Sequence, residues 1–126
     1  MTFGKVILAG LIIISLVFPA HPILNHALPK LSDYGFFKEP ISEQSPISDV
    51  IPYTIASELF SDYAEKLRFI KVPENRSISH NEDLSFSYPE GTFLIKTFYY
   101  QSDVRDPNSD RRLIETRLLK KTGSEW

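Results

Sequence analysis

The stretch from Gly91 to Leu119, GTFLIKTFYYQSDVRDPNSDRRLIETRLL, constrains the fold more than any other part of the chain. Thr92 to Tyr100 places Phe93, Ile95, Thr97 and Tyr99 on one face of an extended strand and Leu94, Lys96, Phe98 and Tyr100 on the other. Both sets are largely apolar, which predicts an inner strand covered on both sides. Arg112 to Lys121 reads as a more mixed strand, with Ile114 and Leu118 on one face and Leu113 and Leu119 on the other. Asp106-Pro107-Asn108 supplies turn chemistry between the two. An isolated hairpin is marginal in water. The rest of the chain must therefore provide neighbouring strands and a covering layer.

With 126 residues, 42% of them hydrophobic and 13% aromatic, the chain suits one small globular domain. Its 14 basic and 16 acidic residues are scattered and sum to a net charge of -2. No strongly positive field results, so the expected partners do not include nucleic acid. The absence of cysteine removes disulfides, thiolate nucleophiles, zinc-thiolate sites and covalent haem attachment from these residues.

Residues 1–27 carry one cation, Lys5, then an apolar run from Val6 to Phe18 closed by Pro19, with no acidic residue. That is the layout of an export signal, and the run is shorter than the ~20 apolar residues of a spanning helix. The expected location is periplasmic or extracellular. Neither Phe18-Pro19-Ala20 nor Asn25-His26-Ala27 has a small residue at the third position back, so retention as an anchor built on residues 6–20 stays open. Contact with a membrane is expected only through such an uncleaved segment.

Residues 28–52 form a Pro-rich lead-in, in which Pro29, Pro40, Pro46 and Pro52 prevent a long helix or central strand. Its Leu31, Tyr34, Phe36 and Phe37 are too apolar for a free linker and predict a segment lying across the domain. Residues 53–126 read as the β-rich domain. Within it, Ile55, Leu59, Tyr63 and Leu67 recur every fourth residue and predict a short amphipathic helix from Tyr53 to Phe69, with a turn at Ser61-Asp62 as the rival. Arg68 to Val72 and Leu84 to Tyr88 alternate as strands, the second with Leu84, Phe86 and Tyr88 on its buried face. Thr122 to Glu125 predicts a tight turn, after which Trp126 would open a returning strand, so the domain is expected to be truncated at its C-terminus.

No catalytic residue, cofactor-binding residue or metal ligand set stands out. Asp103, Asp106 and Asp110 lack the spacing of a calcium loop and suit a solvated turn. The histidines at 21, 26 and 80 form no triad. The polar group that merits most attention is Glu115 with Arg112 and Arg117, where a carboxylate sits between apolar neighbours and needs a cationic partner if it is buried. Such a group is either a ligand contact or a structural ion pair. Tyr34, Tyr63, Tyr88, Tyr99 and Tyr100 offer faces for packing or for sugar stacking.

The segments LSDYGFFKEP (Leu31 to Pro40), VIPYTIASELF (Val50 to Phe60), LFSDYAEKLRFIKVP (Leu59 to Pro73), GTFLIKTFYY (Gly91 to Tyr100) and RRLIETRLL (Arg111 to Leu119) together resemble the N-terminal part of a family of exported bacterial c-type cytochrome-like, haem-domain-containing proteins. The resemblance implies further β-structure and a Cys-x-x-Cys-His haem site beyond the matching region. Haem c is implied only for those longer proteins, and no cofactor is expected in this chain. The partners implied are the missing C-terminal region or an electron-transfer protein. The fold expected is mainly β with one short helix, a partial antiparallel sandwich or barrel-like sheet after an N-terminal signal or anchor helix. The function expected is that of a non-catalytic N-terminal segment of an exported cytochrome c-like protein. The alternative is a stand-alone extracytoplasmic binding domain, with carbohydrate as the ligand class.

Overall fold

The Gly91–Leu119 stretch forms the hairpin that its two strand-like runs and intervening turn predict, and the other elements are arranged around it. The computed structural model describes residues 27–126. The expected signal or anchor segment lies outside the described residues, apart from Ala27. The fold is mainly antiparallel β. Strands β1 (Val50–Pro52), β2 (Glu65–Lys71), β5 (Phe93–Gln101) and β6 (Arg111–Lys120) make an open sheet in the order β1-β2-β5-β6. Strands β3 (Ser79–His80) and β4 (Phe86–Ser87) form a separate small hairpin. The sheet does not close into a barrel, and β1 and β6 are its edges.

Register assigns every strand residue to a face. One face carries Val50, then Leu67 and Phe69, then Phe93, Ile95 and Thr97, then Thr116 and Leu118. This face is covered by the lead-in. Residues Leu31–Tyr34 and Ile41–Glu43 form two 3-10 turns, and the chain doubles back around the second through a Phe37–Pro46 bridge. Lys38 N donates to Ser45 O and Ile47 N to Phe36 O, so this irregular segment satisfies much of its own backbone. Phe36 and Phe37 then pack with Val50, Phe69 and Ile95 as one buried cluster, bordered by Leu31, Tyr34, Ile41, Ile47 and Leu118. Three ring contacts fix the layer: Phe36 against Phe93 at 5.1 Å, Tyr34 edge-on to Phe93 at 5.9 Å and Phe37 edge-on to Phe69 at 5.0 Å. A polar pin crosses the same interface. Buried Thr97 donates through Oγ1 to Gln44 Oε1 at 2.6 Å, and Thr116 Oγ1 lies 2.8 Å from Thr97 Oγ1 as the next donor.

The helix predicted over Tyr53 to Phe69 does not form. Asp62 and Tyr63 both take left-handed backbone angles (φ 46° and 62°), and Ala64 N donates to Ser61 O, so a turn stands where the rival reading placed one. Beyond it, Glu65 to Lys71 pairs residue for residue with β5. Ladder pairing with a strong inner strand outcompetes the four-residue periodicity, and Leu67 alone of the predicted stripe reaches the covered face.

Leu84 to Tyr88 is corrected in a different way. Only Phe86–Ser87 pairs, with Ser79–His80, and Phe86 stays 56% exposed because no layer covers it. On β6, a bulge at Ile114 lets Leu113 sit opposite Tyr99 while Glu115 sits opposite Phe98. Leu113 thereby joins Leu118 on the lead-in side, instead of sharing a face with Leu119. The predicted turn is present at Thr122–Glu125, and Trp126 packs edge-on against Tyr88 at 5.1 Å.

Candidate functional site

The other face of the sheet was also expected to be covered. It carries Ile51, then Lys66, Arg68 and Ile70, then Leu94, Lys96, Phe98 and Tyr100, then Arg112, Glu115, Arg117 and Leu119. Arg68 is the only buried member of this set; Lys66, Ile70, Leu94, Lys96, Phe98 and Tyr100 are half-buried, and the 53–64 connection touches the face at Arg68, Lys66 and Tyr100 without burying it as the lead-in buries the other. The residues stand in rows across the strands. Ile51, Ile70, Leu94 and Leu119 form an aliphatic row. Beside it, Arg68, Lys96 and Arg117 are direct cross-strand neighbours. Lys66, Phe98 and Glu115 form the third row, and Tyr100 pairs with Arg112.

Like charges placed directly opposite one another destabilise a sheet. Here the repulsion is partly offset. Arg68 Nη1 donates to Glu58 Oε1 at 2.8 Å, and Arg117 pairs with Glu115 two residues away on its own strand. Lys96 Nζ and the Arg117 guanidinium both lie over the Phe98 ring, at 4.9 and 4.8 Å, and Arg112 lies over Tyr100 at 5.6 Å. Among the described residues no carboxylate lies within ion-pair distance of Lys96 or Arg112. Tyr53 flanks this region. Burial raises its phenol pKa, the nearby Arg68 charge pulls it down, and Tyr88 raises it further.

The three residues singled out from the sequence, Glu115, Arg112 and Arg117, all lie on edge strand β6 and all are exposed. Glu115 is therefore not a buried carboxylate; its apolar sequence neighbours face elsewhere, and it points to the uncovered side. Arg112 is separated from the Glu115–Arg117 pair by the bulge. What sequence reasoning missed was Lys96 and Arg68, because cross-strand register alone brings them beside Arg117. The available signal was Lys96 itself, a cation on a strand face otherwise made of Leu94, Phe98 and Tyr100.

The aspartate loop is a turn, as expected. Asp103 binds Arg105, which holds its carboxyl below the usual range, and the Gln101 amide donates to the backbone oxygens of Asp106, Pro107 and Ser109. Among the described residues no cluster of His, Cys, Asp and Glu could hold a metal ion. The chain also lacks the cysteines that haem c attachment needs, so its residues do not fit that group.

The five tyrosines do not converge. Tyr34 stacks on Phe36 in the core layer, Tyr63 meets Phe60 in the exposed connection, and Tyr99 and Tyr100 point to opposite faces of β5. Tyr88 lines an open recess of about 370 Å³ at the small hairpin, together with Asn75, Arg76, Ser77, Ser79, Ser87 and Pro89. No family model, curated protein or solved structure matches the chain.

Proposed function

We propose that the chain is a non-catalytic docking domain of an exported protein, acting as the N-terminal segment of a cytochrome c-like protein whose haem lies outside these residues. The observation that carries this reading is the asymmetry of the sheet. One face is closed by the lead-in, whereas the other buries only Arg68 and leaves Ile51 and Leu119 about half exposed at the ends of an aliphatic row. A sheet face left half-exposed in this way is where a further domain or a redox partner would dock. The test is a photo-crosslinker placed at Leu119 in the natural host, followed by fractionation and haem staining. A discrete adduct that stains for haem in the envelope fraction is expected. A cytoplasmic product, or a chain with no haem-bearing adduct, would overturn the reading.

The recess beside Tyr88 favours a second reading, a stand-alone extracytoplasmic domain that binds a carbohydrate. Its hydroxyls, amide, guanidinium and single aromatic face suit a polyhydroxylated ligand, and its volume falls within the range of ligand sites. Trp126, the sole tryptophan, touches Tyr88 and reports on the site. Sugar titrations should change its fluorescence in the natural protein and not in Tyr88→Ala. No response to any sugar in a broad panel would remove this alternative.

A further inference from the structure

We infer that this half-exposed face binds an acidic polypeptide segment of its partner, whose carboxylates lie over Lys96, Arg117 and Arg112. The inference names the chemistry of the docking partner and rests on that reading of the face.

Three observations converge on it. First, register places Arg68, Lys96 and Arg117 side by side on three adjacent strands, which neighbouring strands hold only ~4.8 Å apart. A sheet selected for stability alone would alternate the charges along such a row. Second, the face already accepts an acidic segment from its own chain. Glu58, from the connection before β2, reaches Arg68 at 2.8 Å, and Lys66 Nζ donates to the backbone oxygen of Leu59 at 2.8 Å. That contact uses the first cation in the row and leaves the next two, Lys96 and Arg117, toward the free edge. Third, the cations are held in place from below. Phe98 lies under both Lys96 and Arg117, and Tyr100 under Arg112, so the charged heads are positioned over rings and remain on the solvent side. The aliphatic row next to them favours a polypeptide with apolar side chains among its acids over a uniformly polar polyanion.

Glu115 fits the same scheme as a placeholder. It pairs with Arg117 in the free chain, on an exposed strand where such a pair contributes little. An incoming carboxylate can displace it without leaving a buried charge behind.

The inference predicts opposite effects on binding and stability from one substitution. Lys96→Glu puts a carboxylate between Arg68 and Arg117, so the melting temperature should hold or rise while affinity for an acidic segment falls at least tenfold. The probe is a synthetic peptide repeating Leu-Glu-Ser-Glu, with its Gln counterpart as control, titrated against the purified chain by fluorescence anisotropy. The Glu peptide should bind, weaken as ionic strength rises, and bind at least tenfold more tightly than the Gln peptide. Arg112→Gln and Arg117→Gln, both on the exposed edge strand, should each weaken it several-fold and guard against a folding artefact at position 96. Failure of the Glu peptide to bind, equal binding of the Gln peptide, or undiminished binding to Lys96→Glu would overturn the proposal. So would tighter binding of phosphatidylserine vesicles or polygalacturonate than of the peptide. If the Leu119 crosslink to a haem protein survives in Lys96→Glu, the acidic chemistry fails alone; if the peptide binds as expected but no such crosslink exists, the cytochrome reading fails alone.

Discussion

Two irregular stretches of this chain, residues 28–49 and 53–64, carry seven hydrophobic residues each and meet opposite fates, although the second is the shorter and so the more apolar. The first lays Phe36 and Phe37 into the core at 4% and 8% exposure. The second leaves Leu59 and Tyr63 at 82% and Phe60 at 73%. Neither has a regular helix or a strand of its own to organise it. The difference lies in anchoring. Residues 28–49 close on themselves through the Phe37–Pro46 bridge and reach the sheet centre through Gln44, whereas residues 53–64 touch the sheet through the Glu58–Arg68 pair, Lys66 on the Leu59 carbonyl and Tyr100 on the Asp62 carbonyl. Polar contacts at a solvent-facing surface hold a segment nearby without burying it.

The contrast can be broken most directly at Phe36. Phe36→Ala should cost about 3–5 kcal/mol in a denaturant titration, because it opens a cavity against Phe93 and the buried cluster. A cost below ~1 kcal/mol would mean that the lead-in is a surface strap and not half of the core. Gln44→Ala comes next. It removes the acceptor of the Thr97 hydroxyl and should destabilise by about 1–3 kcal/mol. Amide exchange should quicken in the lead-in if Gln44 is what fastens it. In the other stretch, Leu59→Ser and Phe60→Ser should each stay within about 0.5 kcal/mol of the natural chain. A large loss there would show that these side chains are buried in solution.

The smallest effect concerns acid. Asp103 is held below its ordinary pKa by Arg105, so what it contributes is complete above the ordinary carboxylate value and is lost as pH falls through the lowered one. Because the pair lies at the surface, with Arg105 largely exposed, the expected readout is local. The Arg105 side-chain resonances should shift in that acid range, while the global melting curve stays in place.

How much of this was legible follows from which interactions act locally. The hairpin was, because the apolar, β-forming run of Phe93 to Tyr100 and the turn residues after it are specified locally. Burial of the lead-in was also legible, from four large apolar residues in a segment too proline-rich to form anything else. The Tyr53–Phe69 helix was misread, since its four-residue stripe was real in sequence but β2 gains more by pairing with β5. The face assignment of Leu113 was hidden by the bulge at Ile114, which no residue type announces. The candidate site was visible only in part. Arg112, Glu115 and Arg117 share one strand and could be read together, whereas Lys96 and Arg68 become their neighbours only once register is fixed.

The polar pin between Gln44 and Thr97 also sets the order in which the molecule can be finished. Its two ends are separated by 53 residues, so at synthesis rates of about 5–20 residues per second the lead-in waits roughly 3–10 s for the strand it must cover. Phe36 and Phe37 emerge early and gain their partner Ile95 late. The maturation of this small domain is thus timed by its tenth decade of residues, where Ile95 and Thr97 lie, and not by the lead-in that they fasten.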